Sequence, residues 1–296
     1  MSLESQPTTH LFSVDVEEHF QVSSFEQHVP QASWDTQPSR VAHNVDVLLD
    51  LLARHGAFGT FFTLGWVGAK YPEIVRRVAG AGHEVASHGW WHTRVTNTTP
   101  ERFREDVRSS KRLLEDLCGH PVIGYRAPSF SIVPGREWAL DILIEEGYRY
   151  DSSLFPIHRS GYGYPHAPPV PHVLRRPSGA LYEIPPATTV VAGVRIPAAG
   201  GGYLRQFPFG LIRRAFRENG ALAIPAMFYI HPWEVDPGQP RIKVPWLTRI
   251  RHYRGLSRSL PKMERLLAEF RFTSVAKRFA RFADPEIANA WPFARA

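Results

Sequence analysis

The sequence predicts an α/β protein built on a parallel sheet, and three observations carry that prediction. Short apolar runs alternate with helical patterns along the chain, as in β/α units. The composition, 43% apolar with 18 Phe, 10 Tyr and 8 Trp, is ample for a packed core. Polar residues with useful chemistry recur just past the ends of successive strands, where a β/α barrel opens its mouth.

HLFSVDV (10–16) reads as the first strand, and NVDVLLDLLARHG (44–56) as a helix with Gly56 just past its end. FGTFFTL (58–64) is a strand, PEIVRRVAGAG (72–82) a helix opened by proline, and HEVASH (83–88) a short strand. TPERFREDVRSSKRLLEDL (99–117) opens with Thr99 as N-cap, Pro100 at the first helical position and Glu101 in the first turn. PVIGYRAPS (121–129) supplies a strand and loop, REWALDILIEEG (136–147) a helix, and YRYDSSL (148–154) a strand. ALYEIPP (180–186) and ALAIPAMFYIH (221–231) read as later strands, with the helix FGLIRRAFRENG (209–220) between them. Residues 155–180, rich in Pro, Gly, His and Tyr, read as a long ordered surface loop. From Gln239 onward the chain is Arg-rich and holds one clear helix, LPKMERLLAEF (260–270). The expected organisation is therefore a catalytic barrel over 1–238 and a C-terminal extension packed on it over 239–296.

The formal net charge is +7, but Lys and Arg are scattered and no helix-turn-helix, zinc-finger or RNP pattern is present, so nucleic acid is not an expected partner. Solvated surface charge, or peripheral contact with a membrane or anionic polymer, remain the two readings of that excess. Cys118 is the sole cysteine and reads as core, so no intrachain disulfide is available. No apolar run reaches the roughly 18 residues that span a bilayer, and MSLESQPTTH is not a signal peptide; the expectation is a cytoplasmic protein, at the inner face of the membrane if it meets one.

Asp15 and Glu17 lie two apart on a strand and so share a face, while Glu18 points away as a structural or capping group. His88 and His92, four apart in SHGWWH after the third strand, can share a metal ion, and Trp90 and Trp91 can wall the site. Arg126, Asp151 and His231 follow three further strands. Two carboxylates aimed into a barrel mouth need a cation; two His and one carboxylate suit a catalytic divalent metal with positions left for water, the other carboxylate being free to act as a base.

The order and context of SVDVEE, GHEVASHGWWH, YRAPSF, YDSS and YIH resemble the polysaccharide deacetylase family, carbohydrate esterase family four or NodB homology domain, over roughly residues 10–235. VDVEEHFQ, HPWE and the extension containing RHYRGL resemble the subgroup associated with bacterial exopolysaccharide loci and the exosortase system. The resemblance implies a distorted (β/α)7 TIM-like barrel and removal of N-acetyl groups from amino sugars, with Asp15 as base, Arg126 pairing with it, and His231 protonating the leaving amine. The family's usual metal-binding aspartate is here Val16; a variant of the family takes its ligand two residues after the base, which implies Glu17 together with His88 and His92. Zn suits that donor set, with Co, Ni or Fe also open. Ser129 stands where an aromatic often follows the proline, and the role implied is a backbone N–H for the oxyanion.

Asp151 either holds the His231 imidazole or caps the following turn. GGGYLRQFP (200–208) either lets backbone approach a ligand, with Tyr203 as a stacking face and Arg205 as a charge, or is a tight turn before a helix. Trp233 is rim or core. The function expected is a metal-dependent polysaccharide N-deacetylase on an N-acetylated saccharide. The alternatives are a metal-independent amidohydrolase of the allantoinase kind and an inactive carbohydrate-binding protein.

Overall fold

A computed structural model of the chain describes residues 7–159 and 161–279; the N-terminal hexapeptide and the end of the expected C-terminal extension, 280–296, lie outside the described residues. Eleven strands are described: β1 (Thr9–Val16), β2 (Thr60–Thr63), β3 (Glu84–Ser87), β4 (Gly124–Tyr125), β5 (Tyr150–Asp151), β6 (His172–Arg176), β7 (Gly179–Glu183), β8 (Thr188–Val191), β9 (Val194–Pro197), β10 (Met227–Ile230) and β11 (Arg271–Thr273). The α-helices are α1 (Val41–Arg54), α2 (Gly65–Lys70), α3 (Pro72–Gly80), α4 (Pro100–Cys118), α5 (Trp138–Glu145), α6 (Gly201–Gln206), α7 (Phe209–Ala221), α8 (Trp246–Tyr253), α9 (Ser259–Glu269) and α10 (Val275–Arg278).

Strands β10-β1-β2-β3-β4-β5-β7 pair side by side, all parallel. A single parallel bridge between Pro186 and Met227 joins the β7 end of this sheet back to β10. The result is the α/β barrel-like fold of seven parallel strands that the resemblance implies. Two apolar cores follow from strand alternation. Leu11, Phe62, Ala86, Tyr150 and Met227 fill the inside, while Phe12, Val14, Val16, Phe61 and Phe228 face outward into the larger core shared with the helices. Gly124 is needed for this interior, because a Cβ there would lie 2.0 Å from the Tyr150 ring.

Helix α4 begins as its sequence dictates: Thr99 accepts a hydrogen bond from the Arg102 N–H (3.4 Å), and Gly119 ends it at φ +72°. Glu18 caps α1 from a distance in sequence, its carboxylate accepting from the Arg40 N–H (3.1 Å) and Val41 N–H (3.3 Å).

The segment read as a long loop, 155–180, instead includes β6, which forms an antiparallel hairpin with β7; hairpin β8–β9 and helix α2 were likewise not anticipated. Most of these elements are short, and tertiary pairing rather than local pattern holds them. The extension also does more than lie on the barrel. Its β11 pairs in parallel with the start of β1, and Val275 and Phe279 enter the inner core. The Val275 and Ala276 N–H groups donate to Thr60 Oγ1 (2.9 Å) and to the half-buried Glu84 carboxylate (2.8 Å) at the N-terminal ends of β2 and β3.

Candidate active site

The inward face of β1 continues past the strand end, so Ser13, Asp15 and Glu17 succeed one another up the barrel axis. Val16, by contrast, is fully buried in the outer core, where it can bind nothing. At the mouth, a cavity of about 350 Å³ is lined by Asp15, Glu17, His88, His92, Ser129 and His231, among others.

Arg126 is the centre of the inner network. It has no solvent exposure and lies over the Phe62 ring (4.1 Å). Its guanidinium donates to Asp15 Oδ1 (2.5 Å), Ser13 Oγ (2.9 Å), Ser152 Oγ (2.8 Å) and the Ser152 carbonyl (3.3 Å). A buried charge survives only when paired and saturated in this way. The carboxylate of Asp15 is therefore held by a fixed cation.

Glu17 Oε1 accepts from Trp233 Nε1 (3.1 Å), which gives Trp233 a definite part in the site. Its other oxygen is 2.8 Å from His92 Nε2 yet off the line of a hydrogen bond, so a buried carboxylate oxygen is left without a donor. His88 Nδ1 lies 2.8 Å from the Arg126 carbonyl, which calls for a proton on that nitrogen and leaves Nε2 as the free ligand atom. One donor atom from each of Glu17, His88 and His92 falls within 4.8 Å of the others. His92 takes up this place at φ +55°, a left-handed conformation costly for a non-glycine residue and a mark of functional constraint.

The charge states suit cation binding. Burial lowers the His88 imidazole to about 4, keeping it neutral. Burial alone would raise Glu17, but the facing His92, His231 and His88 draw it down to about 2. The donor set, the neutral His88 imidazole, the His92 ring and an ionised carboxylate around an unsatisfied oxygen, thus fits a divalent metal.

His231 follows β10 on the opposite wall, its Nε2 3.9 Å from Asp15 Oδ2 and 3.7 Å from Glu17 Oε1. Its Nδ1 meets Glu234 Oε2 at 3.0 Å, and Glu234 is in turn paired with Arg205 at 2.9 Å. Burial by itself lowers His231, but the Glu17, Glu234 and Asp15 carboxylates outweigh it and raise the imidazole to about 9.

Residues 26–141 match the family model described as Polysaccharide deacetylase. That stretch carries the polysaccharide deacetylase pattern. Over residues 152–280 the chain also matches a model described as Domain of unknown function (DUF3473). The cavity draws on both stretches: His88, His92 and Ser129 come from the first and His231 and Trp233 from the second, while Asp15 and Glu17 precede the two.

Among curated relatives, a peptidoglycan-N-acetylglucosamine deacetylase of Bacillus cereus is 30% identical over 32% of this chain and 34% of its own length. A chitooligosaccharide deacetylase of Bradyrhizobium sp. is 29% identical over 32% of this chain and 42% of its own. The chain therefore spans less than half the length of these two relatives. Among solved structures, one from Mycobacterium smegmatis, provisionally assigned as a polysaccharide deacetylase, has a TM-score of 0.65 at 19% identity, covering 97% of this chain and 94% of that one. The Puue allantoinase has a TM-score of 0.58 at 16% identity, with 94% of both chains covered. At such identities these two speak for the fold alone.

For several residues the structure separates the readings that the sequence left open. Asp151 does not hold His231; Glu234 does. Asp151 instead accepts from the Ser153 hydroxyl (2.6 Å) and N–H (3.2 Å), capping the turn that follows, and Ser153 Oγ accepts from the Ala127 N–H (2.8 Å). The YDSS strand end thus braces the Arg126 loop. Asp151 stands in register with Glu183, both wholly buried; burial raises Asp151 to about 6, and burial with the neighbouring Asp151 raises Glu183 well above its usual range.

Tyr203 is set back from the cavity, its hydroxyl bonded to that of Tyr162 (2.9 Å), and it is Tyr162 that reaches the lining. Trp90 and Trp91 face a neighbouring cleft, because the Asp106 carboxylate holds both of their N–H groups (2.8 and 3.3 Å) and turns the side chains away. The triple glycine makes room for Glu234 rather than for a ligand: a Cβ on Gly201 would lie 2.0 Å from Glu234 Oε2. Ser129 does line the cavity, at φ +55°, with its hydroxyl 2.6 Å from that of Ser23.

Sequence reasoning gave Glu234 no role. Its signal was present in HPWE, where an acid three residues after the histidine, with proline between, is the pattern of a capping box.

Proposed function

We propose that the chain is a metal-dependent hydrolase that removes N-acetyl groups from amino sugars. One observation carries the proposal: a carboxylate-and-two-histidine cluster is flanked in a single cavity by an arginine-held Asp15 and a glutamate-held His231. The names of the Bacillus and Bradyrhizobium relatives, which act on N-acetylglucosamine polymers and oligomers, support the same substrate class.

Glu17, His88 and His92 would hold the ion, most suitably Zn, with Co, Ni or Fe compatible with the same donors. A bound divalent cation supplies Lewis-acid polarisation and a more acidic water. Asp15, oriented by Arg126, takes the proton of the attacking water. His231, an imidazolium at neutral pH, gives its proton to the departing amine, and Glu234 fixes which ring nitrogen faces the cavity. The backbone at Ser129 borders the space where the oxyanion develops. The products are acetate and a free amino sugar, and a bacterial exopolysaccharide or its biosynthetic intermediate is the substrate we favour.

The test is acetate release from N-acetylated glucosamine oligomers and polymers. Asp15→Asn and His231→Ala should each lose at least about a hundredfold in kcat/KM. Activity at the unsubstituted level in both would defeat the proposal.

A further inference from the structure

One surface of the molecule is left unused by this chemistry. Between residues 237 and 263 the chain carries Arg241, Lys243, Arg249, Arg251, Arg254, Arg258 and Lys262 and no Asp or Glu. With 35 basic and 28 acidic residues in the whole chain, that stretch alone accounts for the entire excess of seven. Helix α8 lies in its middle. Trp246, Leu247 and Ile250 on α8 are 64%, 51% and 43% exposed, three of the eight large apolar side chains so exposed among the described residues. Arg249, Arg251 and Arg254 stand exposed beside them.

The orientation of α8 is set by its other face. His252 and Tyr253 are buried, His252 stacking on Trp233 at 4.2 Å, and Trp233 in turn lies against His231 at 5.0 Å. The exposed apolar residues therefore cannot be turned inward without dismantling a wall of the catalytic cavity. They project from a helix whose buried side packs on Trp233, a residue of the cavity wall.

We propose that α8 and its flanking arginines form a docking surface for an anionic phospholipid membrane. Each element of the patch has a counterpart there. Arginines meet headgroup phosphates, Trp246 suits the interfacial zone, and Leu247 and Ile250 enter the acyl boundary. A soluble polyanion would satisfy the cations but leave three apolar side chains in water. A second copy docking face to face would set one cation band against another. Docking by α8 would seat the membrane against the element that backs Trp233 in the cavity wall. The proposal goes beyond the deacetylase reading, and its test needs no turnover.

The full chain is floated with vesicles of phosphatidylcholine containing about 30% phosphatidylglycerol, and with phosphatidylcholine alone, at roughly 0.1 M salt. We expect binding to the anionic vesicles at least about tenfold tighter than to the neutral ones. Arg249→Gln combined with Arg251→Gln should weaken it by about twentyfold, each cation near the surface contributing about fivefold. The triple change Trp246→Ser, Leu247→Ser, Ile250→Ser should weaken it more than about tenfold. All five side chains are exposed, so an unchanged Tm confirms that folding is intact. Absence of binding to the anionic vesicles overturns the proposal. So does full binding by the triple variant, which would point to a purely polyanionic partner. So does a dimer in sedimentation that the triple variant abolishes while vesicles are ignored.

Discussion

Replacing Gly201 by alanine sets two physical effects against each other with opposite signs. Gly201 begins α6, and helix propensity alone favours alanine there by about 1 kcal/mol. A Cβ at that position, however, would lie 2.0 to 2.6 Å from all three carboxyl atoms of Glu234, a contact that cannot be relieved by a small adjustment. The carboxylate must move, and in moving it leaves both Arg205 and His231 Nδ1. Arg205 and Glu234 are almost fully buried, and breaking such a pair costs about 3–5 kcal/mol. The net expectation is a loss of roughly 2–4 kcal/mol, or a Tm lowered by about 3–6 °C in a chain of this size. Gly202 is the control. A Cβ there meets only an Arg205 nitrogen, at 3.7 Å, so Gly202→Ala should be neutral or stabilising by up to about 1 kcal/mol. Urea and thermal unfolding of both variants, with kcat/KM for acetate release, decide the matter. Gly201→Ala should also lose at least about tenfold in activity while Gly202→Ala does not. If Gly201→Ala proves as stable and active as Gly202→Ala, the role given to Glu234 is refuted.

Four further outcomes follow from the same geometry. After equilibration with Zn and removal of excess, elemental analysis should find one ion per chain in the unsubstituted protein and in Asp15→Asn, and far less in Glu17→Ala and His92→Ala; equal metal in all four would remove the ligand set. Asp151 and Glu183 have folded pKa values raised above their unfolded ones, so they contribute stability below about pH 4 that is lost as pH rises through about 6. Glu183→Gln, which keeps the shape without the second acid, should therefore gain stability relative to the unsubstituted chain at pH 8 over pH 5, and a constant difference in urea unfolding would contradict the raised Glu183. Ending the chain at Phe270 removes β11 and the Val275 plug and opens the inner core at the N-terminal ends of β1 and β2, so cooperative unfolding should disappear; an unaltered Tm would show the plug to be dispensable. Trp91→Ala should keep kcat/KM on short substrates within about threefold, since Trp91 faces the neighbouring cleft; a loss of a hundredfold would return it to the cavity.

The regular part of the fold was legible because its signals are local. The alternation of β1, the Thr99-Pro100 start of α4 and the glycine that ends α1 depend on neighbours a few residues away, and each is found where the pattern puts it. Strand β11 and the β6–β7 hairpin were illegible because such short segments owe their structure to a partner strand rather than to themselves. Among the site residues the same division holds. Asp15, Glu17, His88, His92, Arg126 and His231 were all found by one rule, that strand ends of a β/α barrel converge.

What the sequence determined by itself was therefore the set of groups that meet at the barrel mouth and their chemical kinds. Only the tertiary structure decided how they pair. A carboxylate's partner depends on the shear and closure of the sheet, on which rings fill the space between, and on where a missing Cβ leaves room. Those factors gave His231 to Glu234 rather than Asp151, turned Trp91 outward, and placed Val16 in the outer core so that Glu17, one residue on, faces the histidines. A one-residue step along a strand reverses the face of a side chain, and in this site that reversal separates a buried apolar residue from a metal-ligand candidate.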